Sequence, residues 1–267
     1  STHSPTLFPY TTLFRSCGMN RIYWDIDKIS MLTDHLDASA HSHGMIQFFL
    51  CLEDELEIRV GKEKIMCSCI LVNKNVRHSF KANSKIHFTC VIEPVSDIGI
   101  KLNCILQDKD YCIVDDSKSN ELKKIAMDMK DTFDTETYRK FIAEMYECFD
   151  IPYLNKQFDD RILVFLKMLE QCSCEEHSIE EYAGKLCISA SRLSHLFSEQ
   201  VGITLKKYLT LHQLERAFQD LLAGKRITEA ALNAGFDSPS HFAFTVKRMM
   251  GLPARSTVKD SEFLKVY

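Results

Sequence analysis

Residues 179–188 read IEEYAGKLCI, and residues 227–236 read ITEAALNAGF. The isoleucine, the glutamate two positions later, the alanine and the closing apolar residue recur at an offset of 48 residues. Each segment is followed by a capping turn, with Ser189 in the first copy and Asp237, Ser238 and Pro239 in the second, and then by apolar residues at helical spacing. The duplication predicts a helix, a short turn and a second helix, twice over.

The residue types of this repeat suit two helices packed at an angle. Small and apolar side chains let the second helix approach the first, and Gly235 supplies the positive φ that the bend requires. Ser189 in the first copy, and Asp237 or Ser240 in the second, are predicted to cap the following helix. A major groove about 12 Å wide admits such a helix and exposes base edges to its N-terminal side chains.

The segment between the copies also favours a nucleic-acid reader. Residues 205–222 carry apolar side chains on one face, which predicts one helix that would place the two units on successive major grooves, about 34 Å apart. From Lys185 to Lys259 there are eleven Lys and Arg against five Asp and Glu, a local charge of +6. Because the whole chain carries −4, the remainder carries −10, and a basic segment in an acidic protein suggests a surface for a polyanion.

The same segment resembles a known family. Residues from about 158 to 256 are similar to the DNA-binding domain of the bacterial AraC/XylS transcription regulators. Many fixed spacings carry the resemblance, at Ser189, Leu193, Phe197, Gly202, Tyr208, Leu214, Glu215, Arg216, Ala217, Leu221, Leu222, Ile227, Ala231, Gly235, Phe236, Ser240, His241, Phe242, Lys247 and Gly251. It implies double-stranded DNA and RNA polymerase as partners, and a homodimer that responds to a small-molecule effector.

The resemblance also implies which side chains meet DNA. Base contacts are expected from Ser191, Arg192, Ser194 and His195 in the first unit and from Ser240, His241 and Phe244 in the second. Phosphate contacts, which position the protein without specifying sequence, are expected from Lys206, Lys207, Arg226, Lys247 and Arg248. The chain departs from the family pattern at Gln213, Phe244, Val246 and residues 253–257. The second unit is therefore expected to read bases weakly through Phe244, or else that ring only packs.

The N-terminal region has a different pattern. From Arg21 to Glu93 the sequence favours short strands, at residues 46–52, 56–60, 63–67, 69–72 and 86–92. Such strands separated by turns are typical of a barrel or jelly roll. Two helices follow, one from Ser119 and one capped by Thr135, which pack on the barrel or pair with a second copy. After residue 158 no strand is predicted.

The predicted strands are similar to the cupin barrel that often accompanies this DNA-binding domain. That resemblance implies an effector site at His41, His43, Gln47 and His78. The histidines have three open roles: binding an organic effector, holding a divalent metal ion, or supporting the structure. Gln47 stands where metal-binding cupins commonly place a carboxylate, so no cofactor is predicted.

The cysteines offer further candidate sites. Cys67 and Cys69, and Cys172 and Cys174 with His177, have spacings suited to soft metals or redox chemistry. Alternating residues of a strand share a face, so Cys67 and Cys69 could meet one ligand, or both could pack as small apolar groups. With eleven cysteines, no export signal and no apolar run of membrane length, we expect reduced thiols and a cytoplasmic location.

Taken together, these patterns predict an α+β chain with two domains. Residues 1–18 are interpreted as a disordered tail or one derived from a sequencing adapter, 19–115 as a cupin-like sensor, 116–157 as a helical linker or dimerisation segment, and 158–267 as an all-α tandem helix-turn-helix domain. The predicted function is an effector-controlled, sequence-specific transcription regulator. The alternatives are a metal-dependent cupin enzyme with a helical dimerisation tail, and a binding protein whose second unit meets RNA polymerase. No nucleophile elbow or phosphate loop occurs, so an enzyme is not expected.

Overall fold

The computed structural model describes residues 19–34, 36–151, 158–171, 178–258 and 261–267. A β-rich domain is followed by a helical one, which confirms the predicted α+β, two-domain fold class. Within these ranges no helix combines the length and the apolar character that crossing a membrane requires. The tail at residues 1–18 and the Cys172, Cys174 and His177 group lie outside the described residues.

The β-rich domain consists of two sheets. Its strands are β1 (Asn20–Trp24), β2 (Lys28–Thr33), β3 (Ala38–His41), β4 (Ile46–Cys51), β5 (Leu56–Val60), β6 (Glu63–Cys67), β7 (Cys69–Val72), β8 (His78–Lys81), β9 (His87–Ile92) and β10 (Tyr111–Ile113). One sheet has the order β3-β8-β5-β6, and the other includes β10-β7-β4-β9-β2-β1. The five predicted strands are confirmed to within one residue at each end. The expected barrel or jelly roll takes the form of two sheets, and the cupin resemblance itself stays a prediction.

The larger sheet is buried on both faces. On β4, Phe49 packs against Phe80 of the smaller sheet with ring centroids 4.7 Å apart, whereas Phe48 points to the opposite side. This two-sided burial explains why β4 is a continuous apolar run rather than an alternating one.

Three helices cover the outer face of that sheet: α1 (Asp97–Leu106), α2 (Asp116–Asp131) and α3 (Thr135–Glu147). Phe141 packs on Phe88 with ring centroids 4.3 Å apart, and Tyr138 stacks on Tyr23 at 4.8 Å. The apolar faces of α2 and α3 are therefore used within the chain. The cap of α3 is Asp134, which accepts from the Thr137 amide, and not Thr135 as predicted.

The helical domain contains α4 (Asp160–Gln171), α5 (Ile179–Lys185), α6 (Ala190–Val201), α7 (Leu205–Leu222), α8 (Ile227–Asn233), α9 (Pro239–Met250) and α10 (Ala254–Val258). The pairs α5–α6 and α8–α9 are the two copies of the repeat, and α7 is the helix between them. The predicted helix, turn and helix arrangement is confirmed.

The prediction that the region after residue 158 contains no strand is wrong. Residues Glu262–Lys265 form β11, which pairs in parallel with β1 at the edge of the larger sheet. The adjoining Val266 amide donates to the Trp24 carbonyl at 3.0 Å. The chain therefore returns from the helical domain to complete the sheet of the N-terminal one.

The two domains also share an apolar core. Trp24 of β1 is buried and lies 5.4 Å from the ring of Phe218 on α7, measured between ring centroids. Beyond β11, the Tyr267 hydroxyl donates to a carboxylate oxygen of Glu215 on α7 at 2.9 Å. These contacts fix the helical domain against the β-rich one.

Candidate nucleic-acid interface

The bends of the two helical pairs use the same backbone conformation. Gly235 has a φ of +85° between α8 and α9, as the sequence predicted. The equivalent residue between α5 and α6 is Cys187, which has a φ of +55° although it carries a side chain. A left-handed residue at this position lets the chain leave the first helix and start the second within a few residues.

Serine hydroxyls cap both second helices, which we call the reading helices, α6 and α9. Ser189 accepts from the Arg192 amide at 3.1 Å, which confirms the predicted cap. In the second unit Ser238 accepts from the His241 amide at 3.1 Å, so the predicted caps Asp237 and Ser240 are wrong. The turn before α9 is one residue longer than the turn before α6, which moves the cap.

The side chains predicted to contact bases lie on the outer faces of the reading helices. Phe197 of α6 and Phe242 of α9 point into the core. Ser194 is half-buried, and the exposed members of the predicted set are Ser191, Arg192, His195, Ser240, His241 and Phe244. Each exposed group begins within the first turn of its helix, the part that reaches base edges when a helix enters a groove.

Two residues of α9 have neighbours that bear on their predicted roles. Phe244 is 63% exposed, so it does not pack in the core, and the Arg248 guanidinium lies 5.6 Å from its ring centroid. The His241 Nδ1 atom lies 3.1 Å from the Asp237 carboxylate. An arginine stacked on an exposed ring presents a cationic, apolar surface of the kind that suits a nucleic acid.

The predicted phosphate-contacting residues divide into two groups. Exposed side chains are found at Lys206, Arg226, Lys247 and Arg248. Lys207 is half-buried, and its ammonium lies 2.9 Å from a carboxylate oxygen of Glu93 in the β-rich domain. A phosphate contact by Lys207 therefore requires this ion pair to open.

The reading helices end against the β-rich domain. Both terminate at a left-handed glycine, Gly202 for α6 and Gly251 for α9. A Cβ on Gly202 would lie 2.8 Å from Oδ1 of Asp97, and a Cβ on Gly251 would overlap the ring of His41. Sequence reasoning missed these contacts, because a glycine at a helix end is already explained by the cap.

Beneath Gly251 the structure brings together the predicted effector residues. Metal-ligating atoms of His41, His43 and His78 all lie within 4.8 Å of one another, and the three side chains are buried. The Gln47 Oε1 atom lies 2.8 Å from Nε2 of His43 and 2.9 Å from Nε2 of His78. His41 lies at the end of β3, Gln47 in β4 and His78 at the start of β8, so both sheets contribute to the cluster.

The protonation of these rings follows from their neighbours. His41 and His78 face the carbonyls of Ser39 and Val76 through Nδ1, at 2.8 and 2.9 Å, so both rings carry their proton on Nδ1. Burial lowers the pKa of His41, that of His43 to about 4 and that of His78 to about 3. The three imidazoles are therefore neutral at pH 7.

The two cysteines of the predicted thiol pair lie in different sheets. Cys67 ends β6 and packs between the sheets, whereas Cys69 begins β7 and faces the helices. The idea that they share a strand face and meet one ligand is wrong, because the chain changes sheets at Ser68. Burial raises the pKa of Cys67 to about 12 and holds that of Cys69 well above its usual range, so neither is a reactive thiolate.

A family match covers the two helical pairs. Residues 182–260 match the family described as helix-turn-helix domain. The probable transcriptional regulator LumQ of Photobacterium leiognathi is 24% identical over 242 residues, covering 85% of this chain and 96% of LumQ. Apo ToxT from Vibrio cholerae is 13% identical with a TM-score of 0.47, over 87% of this chain and 97% of that one. A regulator with an AraC-type domain from Chromobacterium violaceum is 28% identical with a TM-score of 0.34, over 37% of this chain and 89% of that one.

Proposed function

We propose that this chain is a DNA-binding transcription regulator of the AraC type and that it reads DNA with the exposed N-terminal halves of α6 and α9. One observation carries the proposal: apart from the half-buried Ser194, the predicted base-contacting side chains of each reading helix are exposed, while its C-terminal glycine rests on the β-rich domain. Pairing of two copies and contact with RNA polymerase belong to the same proposal.

The two units are proposed to contribute differently. Arg192 on α6 has a guanidinium that suits the two acceptors on a guanine edge. On α9 the exposed Phe244 would contact a thymine methyl, with Arg248 beside it on a phosphate. Base discrimination is therefore expected to come mainly from the first unit.

An effector is proposed to act where the domains meet, at the group formed by His41, His43, Gln47 and His78. The Gly44 amide donates to the Arg248 carbonyl at 3.3 Å, so the loop next to this group already contacts α9. A ligand that moves these side chains would therefore move the second reading helix. This link gives the β-rich domain a physical route to control DNA binding.

The DNA-reading part of the proposal is tested by selecting bound sequences from random duplexes with the full chain. Arg192→Ala and His195→Ala are each expected to weaken binding to the selected site by about 1–3 kcal/mol, because each removes a base contact. Fluorescence anisotropy with the selected site and a scrambled duplex measures the loss.

Lys206→Ala is the matched control for this experiment. It removes a cation that is proposed to contact only phosphate, so it should weaken binding to both duplexes alike. The slope of log affinity against log salt should become shallower by about one unit. If the Arg192 and His195 variants keep both the affinity and the sequence preference of the parent chain, the placement of α6 in the groove is refuted.

A further inference from the structure

A cavity of about 380 Å³ lies between the β-rich and helical domains. Its lining includes Ile98 of α1 and Ile142 of α3 from the β-rich domain, and Leu166 of α4 and Val201 of α6 from the helical one. Ile98 and Ile142 belong to the core on the outer, helix-covered face of the larger sheet. The cavity is therefore outside the space between the sheets, and none of the four proposed effector residues lines it.

The buried part of the lining carries an unbalanced charge. Lys28 is 5% exposed, and its ammonium lies 2.9 Å from Oδ2 of Asp25 and 2.5 Å from Oδ1 of Asp27. Burial lowers the pKa of Lys28, but the two carboxylates outweigh that effect and hold this pKa well above its usual range. Two carboxylates thus share one ammonium, which leaves one negative charge in excess at the wall of the cavity.

Asp27 also has an oxygen atom that its neighbours do not use. Asp27 is 8% exposed and lines the cavity. Its Oδ1 atom accepts from Lys28, whereas its Oδ2 atom has no hydrogen-bond partner among the described residues. Both oxygens of Asp25 are used, one by Lys28 and the other by the Ile26 amide at 2.7 Å. Because a buried charge is costly without a full set of hydrogen bonds, Oδ2 of Asp27 is where a ligand's donor would bind best.

Aromatic and apolar side chains form most of the remaining wall. Tyr138, Tyr146 and Tyr267 line the cavity, and the face of an aromatic ring attracts a cation. The buried apolar side chains of Ile142 and Leu166 offer a surface for the body of a ligand. The lining therefore suits a small molecule that is apolar along its length and cationic at one end.

We infer that this cavity binds an organic ammonium ion, a small molecule with an apolar body and a protonated amine that donates to Oδ2 of Asp27. The amine would cancel the excess negative charge beside Lys28. The other charged residues of the lining, Asp97, Lys101 and Arg139, are exposed, so water and salt screen their charges. An organic anion bound by Lys101 and Arg139 is the competing outcome.

This site goes beyond the proposed function, because it is a second ligand site, separate from the histidines. Its occupancy is measured on the full chain without DNA. A failure to bind DNA would therefore leave the inference standing, and a failure to bind the amine would leave the proposed reading of DNA standing.

Calorimetric titration of the full chain with three matched compounds tests the preference for a cation. Phenethylamine, phenethyl alcohol and hydrocinnamate share a phenyl ring on a short alkyl chain and end in a cation, a neutral group and an anion. We expect saturable binding of the amine that is about tenfold tighter than that of the alcohol, because hydrogen bonds between charged groups are the stronger ones. No binding of the amine, equal affinities for amine and alcohol, or tighter binding of hydrocinnamate overturns the inference.

Two variants on α4 test whether the amine binds in this cavity. Leu163 and Val164 are 49% and 44% exposed, but of the two only Leu163 lines the cavity. Leu163→Arg places a cation beside the proposed amine site and should weaken phenethylamine binding about tenfold through like-charge repulsion. Val164→Arg is the matched control, because it adds the same charge outside the cavity, and it should bind like the parent chain. Equal affinities in the two variants would place the amine elsewhere and refute the site.

Asp27→Asn tests the residue proposed to accept from the amine. It keeps the shape of the side chain and removes its charge, so the affinity for phenethylamine should fall to that for phenethyl alcohol. An unchanged preference for the amine would show that Asp27 is not its partner. The α4 variants change only exposed residues, so they decide the question even if Asp27→Asn, which alters a buried ion pair, does not fold.

Discussion

At the scale of single residues, the two helical pairs place different residue types at the same position of the turn between their helices. Gly235 and Cys187 occupy the same position of the two copies and share a positive φ. A side chain in the left-handed region costs about 1–2 kcal/mol, because Cβ approaches the carbonyl oxygen. The first helical pair therefore carries a local strain that the second lacks.

Cys187→Gly is expected to stabilise the protein by about 0.5–1 kcal/mol. The gain is smaller than the strain removed, because glycine also increases the entropy of the unfolded chain. Cys187 is exposed, so the change removes little packing. Thermal unfolding measures the effect, and Gly235→Ala is the matched control that should lower the melting temperature. A Cys187→Gly protein less stable than its parent would contradict the strain argument.

How far the sequence predicts individual residues depends on how local their partners are. The cap at Ser189 and the exposure of Arg192 follow from positions within one helix, and both were predictable. The ion pair of Lys207 with Glu93 was not, because it joins residues from different domains. The contact between His41 and Gly251 was not predictable for the same reason.

At the scale of elements, the hydrophobic pattern of the sequence predicted the strands that are buried on one face or on both faces. The alternation of β5 and the apolar run of β4 both report how their faces are covered. β11 is different, since it has four residues, begins and ends with a charge, and is not fully buried at any position. Its partner β1 lies at the other end of the chain, so no local window reveals the pairing.

Val266→Pro tests whether this return of the chain holds the domains together. Proline removes the amide that donates to the Trp24 carbonyl, whereas Val266→Ala keeps that amide and removes only buried methyl groups. We expect the proline variant to be about 1–3 kcal/mol less stable than the alanine variant, because the buried carbonyl loses its partner. Denaturant unfolding followed by the fluorescence of Trp24, the single tryptophan, gives both values. Equal stabilities would mean that β11 pairing contributes nothing.

At the scale of the whole molecule, contacts along the helical domain fasten it to the β-rich one. Gly202 and Gly251 rest on it at the ends of the two reading helices, and Phe218 packs on Trp24 between the copies. The exposed side chains predicted to contact bases lie in the N-terminal halves of these helices, at the opposite end from the two glycines. The spacing and tilt of the reading helices are thus tied to the β-rich domain, which explains physically how a ligand in that domain could alter DNA binding.

The ion pair between Lys207 and Glu93 makes this restraint measurable. Glu93 is buried, and its carboxylate holds an ammonium that is otherwise predicted to contact phosphate. Glu93→Gln keeps the shape of the side chain and removes its charge, so Lys207 becomes available to DNA. We expect DNA binding by the full chain to tighten by about 1 kcal/mol.

The salt dependence distinguishes this mechanism from a general change in charge. One additional phosphate contact should steepen the slope of log affinity against log salt by about 0.9 unit in Glu93→Gln. Glu53→Gln removes the same charge from an exposed position of the β-rich domain and should leave the slope as it is. If both variants change affinity and slope equally, Lys207 is not released by the loss of Glu93. The β-rich domain then acts on DNA only through its overall charge.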